Sequence, residues 1–127
     1  MAASVAGPKM RVLGASDLRS VEALTAGASG FTSTNSWIFP QAFRVISDNA
    51  RTEHHHVAAS VRSALVPYAQ IVAELGQPRS IKAAMVFRGY SGSAMLRLPY
   101  VELDDGERNG LEDAIKRSDE LLDALNL

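Results

Sequence analysis

The sequence predicts an α/β fold that is mostly helical by residue count, and two observations support this prediction. Residues 10–40 have the pattern of a strand, a helix, a second strand and the start of another helix, which is one βαβ unit. Beyond residue 50, apolar side chains recur at spacings of three or four, which is the period of amphipathic helices. We therefore expect a short parallel sheet followed by a helical region.

Residues 10–13 are the first predicted strand, and Asp17 stands where a helix N-cap belongs. Gly27 is expected to end that helix, and residues 28–34 form the second strand. Because a helix intervenes, the two strands should be parallel, with a right-handed crossover. Small and hydroxylated residues follow both strands, at the end where parallel α/β folds bind substrate.

Pro40 suits the first turn of the next helix, which is predicted over residues 40–49. A long helix should follow and end at Gly76, with a bend at Pro67, because proline removes a backbone donor and crowds the preceding turn. The expected apolar stripe of this long helix is Val57, Val61, Leu65, Tyr68, Val72 and Leu75.

A shorter helix is predicted over residues 79–88, with Ile81, Met85 and Val86 buried. An extended, irregular segment should then lead to a last helix, which Asp104 or Asp105 can cap. The expected apolar residues of this last helix are Leu111, Ile115, Leu121, Leu122 and Leu125.

Composition indicates one globular domain and limits the classes of partner. The chain has 127 residues, whereas a complete α/β barrel typically needs about 250. Its 13 basic and 14 acidic residues are evenly mixed, so no basic surface is expected for a nucleic acid or an anionic membrane. The chain contains no cysteine, which excludes thiolate metal sites and thiol nucleophiles.

No signal peptide or membrane span is evident, and we expect a soluble cytoplasmic protein without a cofactor.

Five motifs occur in order along the chain. RVLGASD looks like a barrel strand with a Gly-x-Asp ending in which Ala15 stands at the glycine position, AGASGFTSTNS looks like the strand after it, and IFPQAF looks like a helix start. GQPRSIKAAM contains Pro-x-x-Lys, and LRLPYVEL contains an Arg-x-Pro turn. Each motif is weak alone, but together they resemble the dihydrodipicolinate synthase and N-acetylneuraminate lyase family of pyruvate-dependent class I aldolases.

The resemblance implies that residues 10–50 are the last two βα units of a (β/α)8 TIM barrel, namely strands seven and eight with their helices. Residues 51–127 would be the C-terminal helical extension of that barrel, and residues 1–9 a lead-in. The first six units, which in this family include the strand with the Schiff-base lysine, are not found in the sequence. The chain would therefore be about the C-terminal two fifths of such an enzyme.

The resemblance also implies four substrate-binding positions. Ala15 matches a glycine whose carbonyl faces the bound keto acid, and Asp17 matches an aspartate that binds sugar hydroxyls in the lyases. Thr32 matches a backbone contact to the pyruvate moiety, and Thr34 matches a hydroxyl near the substrate. Alternatives remain open: the methyl of Ala15 could crowd the ligand, Asp17 could be a helix N-cap, which we favour, and the hydroxyls could bond the loop backbone.

None of the three lysines is expected to form a Schiff base. A class I aldolase needs a lysine whose amine is deprotonated by a dry pocket. Lys9 precedes the first strand at the end opposite the expected site, and Lys82 and Lys116 lie on predicted helices of the tail. We expect these lysines to be solvated or salt-bridged.

Other candidate sites receive simpler interpretations. His54, His55 and His56 are adjacent and would point about 100° apart on a helix, so we expect a solvated face and no metal site. No Gly-x-Ser-x-Gly elbow is present for a nucleophilic serine, and the glycines are in the wrong order for a dinucleotide fingerprint. Trp37 is expected to pack over the start of a helix.

The first function hypothesis is a portion of a lyase or aldolase that acts on pyruvate or a keto-deoxy sugar acid through a Schiff base, and that is inactive alone. The keto acid would bind only if a complementing chain completed the barrel. The alternatives are a non-catalytic module for homo-oligomer assembly and a truncated gene product. Because a two-stranded parallel sheet lacks neighbours, we expect the isolated strand unit to fray, aggregate or self-associate.

Overall fold

The computed structural model describes residues 10–126, so the predicted lead-in of residues 1–9, including Lys9, lies outside the described residues. The chain divides into two compact units, the first ending at Ser63 and the second beginning at Ala64. Within residues 10–126, none of the helices combines the length and apolar character needed to span a membrane.

The first unit contains the predicted βαβ arrangement. Strand β1 (Leu13–Gly14) and strand β2 (Gly30–Phe31) pair in parallel, with Leu13 opposite Gly30 and Gly14 opposite Phe31. A 3-10 helix (Asp17–Arg19) and helix α1 (Ser20–Thr25) connect the strands. Gly27 follows α1 with a φ of 93°, a conformation that favours glycine and suits the end of a helix.

Both strands are shorter than the sequence predicts, and β1 lies later than the predicted residues 10–13. The parallel ladder extends only from the Ser29 amide, which donates to the Val12 carbonyl, to the Thr32 amide, which donates to the Gly14 carbonyl. Residues before Val12 have no pairing strand in the described part of the chain. Leu13 is 55% exposed, although strands of parallel sheets are usually covered on both faces.

Helix α2 (Pro40–Asn49) has the predicted bounds, with Pro40 in its first turn. The ring of Phe43 packs 5.8 Å from the ring of Phe31 on β2, measured between centroids. The prediction that Trp37 packs over the start of a helix is wrong, since Trp37 is 62% exposed. Ile38 and Phe39 are the buried residues at the start of α2. The fully buried large side chains of this unit include Leu24, Ile38, Ile46 and Val61.

The predicted long helix is in fact two helices. Helix α3 (His55–Ala64) ends before Leu65, and helix α4 (Val66–Leu75) has Pro67 in its first turn. The missing N–H of proline is tolerated at that position because the first turn lacks intrahelical acceptors. Pro67 therefore starts a new helix, where the sequence predicted a bend within one.

Helix α5 (Arg79–Phe87) matches the predicted residues 79–88, but a different face is buried. Its buried residues are Ser80, Ala83 and Ala84, whereas Val86 is 37% exposed. Small side chains on this face allow α5 to approach the helices against which it packs, α4 and the last helix of the chain. The predicted Ile81 and Met85 are only half-buried.

Residues 88–103 are irregular, as predicted, and helix α6 (Asp105–Asp123) follows. Asp104 is its N-cap and forms a capping box: the Glu107 amide donates to Asp104 Oδ1 over 2.8 Å, and the Asp104 amide donates to Glu107 Oε2 over 3.0 Å. Two predicted core residues are exposed, Leu121 by 42% and Leu125 by 39%. The helical period instead buries Leu111, Ile115, Ser118 and Leu122.

Candidate functional site

The four residues predicted to bind substrate lie at one end of the parallel sheet. Ala15 and Asp17 follow β1, and Thr32 and Thr34 follow β2, all within three residues of the strand ends. The two loops are joined by the hydrogen bond from the Thr32 amide to the Gly14 carbonyl, which is 2.8 Å long. Ala15, Thr32 and Thr34 are exposed, and Asp17 is half-buried.

Close packing explains why residue 14 is a glycine. A Cβ added at Gly14 would lie 2.9 Å from the Cβ of Ala23 on α1, closer than real Cβ atoms approach one another. Helix α1 therefore lies directly against the end of β1. This close approach determines where the loop that contains Ala15 and Asp17 leaves the sheet.

Hydroxyl groups hold the loop that follows β2. Ser33 Oγ accepts from the Ser36 amide over 2.9 Å, and Ser36 Oγ donates to the Ser33 carbonyl over 2.9 Å. The hydroxyl of Thr32 lies 3.5 Å from the Gly14 carbonyl, which is a weak contact. The serine hydroxyls thus bond the loop backbone, and the exposed Thr32 and Thr34 side chains lie on the same loop.

Asp17 is not a helix N-cap, which corrects the interpretation we favoured. It is the first residue of the 3-10 helix, and Ser16 occupies the cap position without a side-chain cap bond. Asp17 Oδ2 instead accepts from Asn35 Nδ2 over 2.6 Å. Parallel pairing brings the two loops together, so the carboxylate reaches a donor 18 residues away.

The surroundings of Asp17 disfavour its charged form. Burial raises the pKa of the Asp17 carboxyl above its ordinary value, while hydrogen bonding from Ser33 and Asn35 acts in the opposite direction. Asp17 Oδ1 is buried and has no partner of hydrogen-bond geometry among residues 10–126. The carboxylate is therefore turned into the loops and away from open solvent.

The backbone at Asp17 and at the residue after it is also restrained. Ser20 Oγ donates to the Asp17 carbonyl over 2.7 Å. Arg62 on α3 donates through Nη1 to the Leu18 carbonyl over 3.0 Å, and the same atom lies 3.4 Å from Glu22 Oε1. The loop after β1 is thus fixed by side chains from two helices.

Sequence reasoning missed Asn35. This residue is only 6% exposed and belongs to the 3-10 helix Asn35–Trp37. Its position offers a signal that could have identified it, since Asn35 follows the end of β2 by four residues and Asp17 follows the end of β1 by three. Polar residues at similar distances after parallel strands are expected to meet at one edge.

The described lysines lie in the second unit and are exposed, in agreement with the prediction that they are solvated or salt-bridged. Lys82 Nζ donates to the Met95 carbonyl over 2.7 Å. Lys116 Nζ lies 3.4 Å from Asp113 Oδ1 and 5.8 Å from the centroid of the Phe87 ring. Neither amine lies in a dry pocket of the kind that a Schiff-base lysine needs.

The histidines and a groove complete the candidate sites. His54, His55 and His56 are exposed, and their neighbouring rings meet edge to face. No cluster of three or more potential metal ligands was found among residues 10–126. The second unit has an open groove of about 410 Å³, whose charged lining residues are Glu102, Arg108 and Glu112 and which contains none of the predicted site residues.

Comparison with known families and structures gives one family and one fold. The Dihydrodipicolinate synthetase family matches residues 3–118 of the chain. No curated protein matches it. Among solved structures, 41 chains match, and six of these are matched over 36–38% of their own length.

Three of these structures illustrate the similarity. The 4-hydroxy-tetrahydrodipicolinate synthase from the thermoacidophilic methanotroph Methylacidiphilum fumariolicum SolV has a TM-score of 0.83 and 22% identity, over 91% of this chain and 38% of that one. The dihydrodipicolinate synthase from Aquifex aeolicus has a TM-score of 0.81 and 20% identity, over 89% and 38%. The enzyme from Thermotoga maritima has a TM-score of 0.79 and 24% identity, over 86% and 37%.

These comparisons confirm the predicted fold class. The chain has the fold of the last two βα units of a TIM barrel followed by a C-terminal helical extension, and it is mostly helical. It corresponds to less than two fifths of the length of each enzyme named above.

Proposed function

We propose, since this chain belongs to the dihydrodipicolinate synthetase family, that residues 10–50 form one wall of a keto-acid site. The parent activity would be that of a lyase or aldolase that acts on pyruvate or a keto-deoxy sugar acid through a Schiff base. Ala15, Asp17, Thr32 and Thr34 would line this wall. The observation that supports the proposal most directly is that these four positions share the end of the parallel strands where α/β barrels bind substrate.

The wall would contribute shape and hydrogen bonding, and the reactive amine would come from another polypeptide segment. Lys82 donates to a backbone carbonyl and Lys116 is close to a carboxylate, and both side chains are exposed, whereas a Schiff-base lysine needs a dry pocket. We therefore propose that the chain is not catalytic alone and binds its keto acid with a complementing chain that supplies the other barrel strands.

Borohydride trapping tests whether the reactive amine is absent. The chain is incubated with pyruvate and sodium borohydride, and its intact mass is compared with a sample that received borohydride only. We expect no mass difference. A covalent adduct on the wild-type chain that disappears in Lys9→Arg, Lys82→Arg or Lys116→Arg would contradict the proposal and identify the lysine.

A second candidate function is a non-catalytic module for homo-oligomer assembly. The specific observation that favours it is a set of exposed apolar side chains in the irregular segment before α6, with Met95 exposed by 69%, Leu98 by 88% and Val101 by 63%. Exposed apolar groups that lie close together in sequence are typical of interaction surfaces.

Size-exclusion chromatography with light scattering, together with a thermal-shift assay in pyruvate, separates the two candidates. The assembly module predicts an oligomer that Leu98→Ser dissociates, with no pyruvate response. A monomer, or an oligomer that Leu98→Ser leaves intact, would exclude this role for the segment.

A further inference from the structure

Asn35 is a buried polar residue with no role in the proposed function so far. It is 6% exposed, and its Nδ2 donates to Asp17 Oδ2 over 2.6 Å. The bond has a short donor–acceptor distance and a carboxylate acceptor, and hydrogen bonds of this kind are about twice as strong as those between neutral groups. It connects the loop after β1 to the loop after β2 through side chains alone.

Each of the two loops also has restraints of its own. The loop after β1 is restrained by Ser20 and by Arg62, which bond the carbonyls of residues 17 and 18. The loop after β2 is restrained from within by the paired hydroxyls of Ser33 and Ser36. The Asp17–Asn35 bond, at 2.6 Å, joins the two loops beyond the sheet ladder, alongside the weak Thr32 hydroxyl contact and the hydrogen bonding from Ser33 to Asp17.

We propose that Asn35 is a positioning residue of the keto-acid site, which holds Asp17 and thereby fixes Thr32 and Thr34 against the end of β1. This inference rests on the proposed function, because it assigns Asn35 to the same wall. In this arrangement Asp17 also acts on the site indirectly, through its bond to Asn35, because its Oδ2 accepts that bond and its Oδ1 is buried.

Amide hydrogen exchange in residues 32–37 tests the proposal on the chain itself. We expect Asn35→Ala to accelerate exchange about tenfold, because a hydrogen bond to a charged group is lost. The double variant Asp17→Asn with Asn35→Asp keeps one amide donor and one carboxylate acceptor with their places exchanged. It should restore exchange to within about threefold of the wild-type rate.

A matched control and a second signal separate positioning from general destabilisation. Asn49 is an asparagine of the same unit whose Nδ2 donates to the Val45 carbonyl of its own helix, so Asn49→Ala should leave exchange at residues 32–37 unchanged. The carboxyl carbon of Asp17, observed by NMR, should titrate at a higher pH in Asn35→Ala than in wild type and be unaffected in Asn49→Ala.

Two results would overturn the inference. One is an amide exchange rate in Asn35→Ala within twofold of the wild-type rate. The other is failure of the double variant, Asp17→Asn with Asn35→Asp, to restore the wild-type rate. If Asn35→Ala does not fold, the double variant alone tests the inference, because it must fold and show an amide exchange rate close to that of wild type. The borohydride experiment shares no measurement with this one, so the proposed function can fail while Asn35 still fixes the loop, and the reverse.

Discussion

A methyl group at Gly14 should destabilise the first unit by about 1–2 kcal/mol. The added Cβ would lie 2.9 Å from the Cβ of Ala23, whereas its next contacts, with Phe31 Cβ at 3.5 Å and the Gly30 carbonyl at 3.9 Å, are ordinary. Overpacking of this kind costs about 1–3 kcal/mol. The loss of backbone freedom in the unfolded chain offsets about 0.4–1 kcal/mol of that cost, because Gly14 does not need a positive φ.

The measurement is urea unfolding followed by the fluorescence of Trp37, which is the only tryptophan and lies in the first unit. The variants are Gly14→Ala, Ala23→Gly and both together. Ala23→Gly alone should cost about 1 kcal/mol of helix propensity. In that background Gly14→Ala should be neutral or slightly stabilising, because the obstructing Cβ is gone.

The coupling between the two substitutions decides the reasoning. We expect a coupling free energy of about 1–3 kcal/mol, since one contact accounts for the cost. Gly92→Ala is the matched control, because nothing lies within 4 Å of a Cβ added there, and it should leave the Trp37 transition unchanged. If Gly14→Ala is as stable as wild type, or if the cycle is additive within about 0.5 kcal/mol, α1 does not lie against β1 as described.

Three further predictions follow from the site and from the second unit. Asp17→Asn should reduce the pH dependence of the free energy of unfolding. The native Asp17 carboxyl has a pKa above its ordinary value of 3.8, so the native state keeps this proton at a pH at which the unfolded state has lost it. Stability therefore falls as the pH rises from the unfolded pKa through the native pKa. Urea titrations from pH 3.5 to 7 check this, and an unchanged slope in the variant would contradict it. Asp104→Ala should lower the free energy of unfolding by about 1 kcal/mol, because the capping box is lost. Asp113→Ala removes an exposed contact and should lower it by less than about 0.5 kcal/mol. Equal losses of stability, measured by circular dichroism, would refute the capping argument. Ile115→Ala should lower the free energy of unfolding by about 2–5 kcal/mol, because Ile115 is fully buried. Leu121→Ala should leave the stability within about 0.5 kcal/mol of wild type. A large loss at Leu121 would instead support the apolar stripe predicted from the sequence.

Helix boundaries were the most predictable part of the fold. The helix starting at Pro40 was predicted to within its observed bounds, and Asp104 was one of two caps considered. Both signals are local, since a proline in the first turn and a side chain bonded to an amide three residues on depend only on nearby sequence. Pro67 was misread because the same residue can bend one helix or begin another, and neighbouring sequence does not separate the two outcomes.

The candidate site was predictable in location but not in its internal bonds. Ala15, Asp17, Thr32 and Thr34 follow from the motif order and from the rule that parallel strands expose their carboxyl ends at one edge. The partner of Asp17 did not follow, because a local cap and a distant amide are both compatible with the sequence around Asp17. Asn35 was overlooked for the same reason.

The amino-acid sequence by itself determined the family, the class of fold and most helices, because these depend on residue order, spacing and local backbone preference. Only the tertiary structure decided which side chains meet. It paired Asp17 with Asn35, left Trp37 and Leu121 exposed, and placed Ala23 against Gly14. Each of these outcomes depends on the distance between segments that are far apart in sequence or on the rotation of one helix against its neighbours, and both are set by packing of the whole unit.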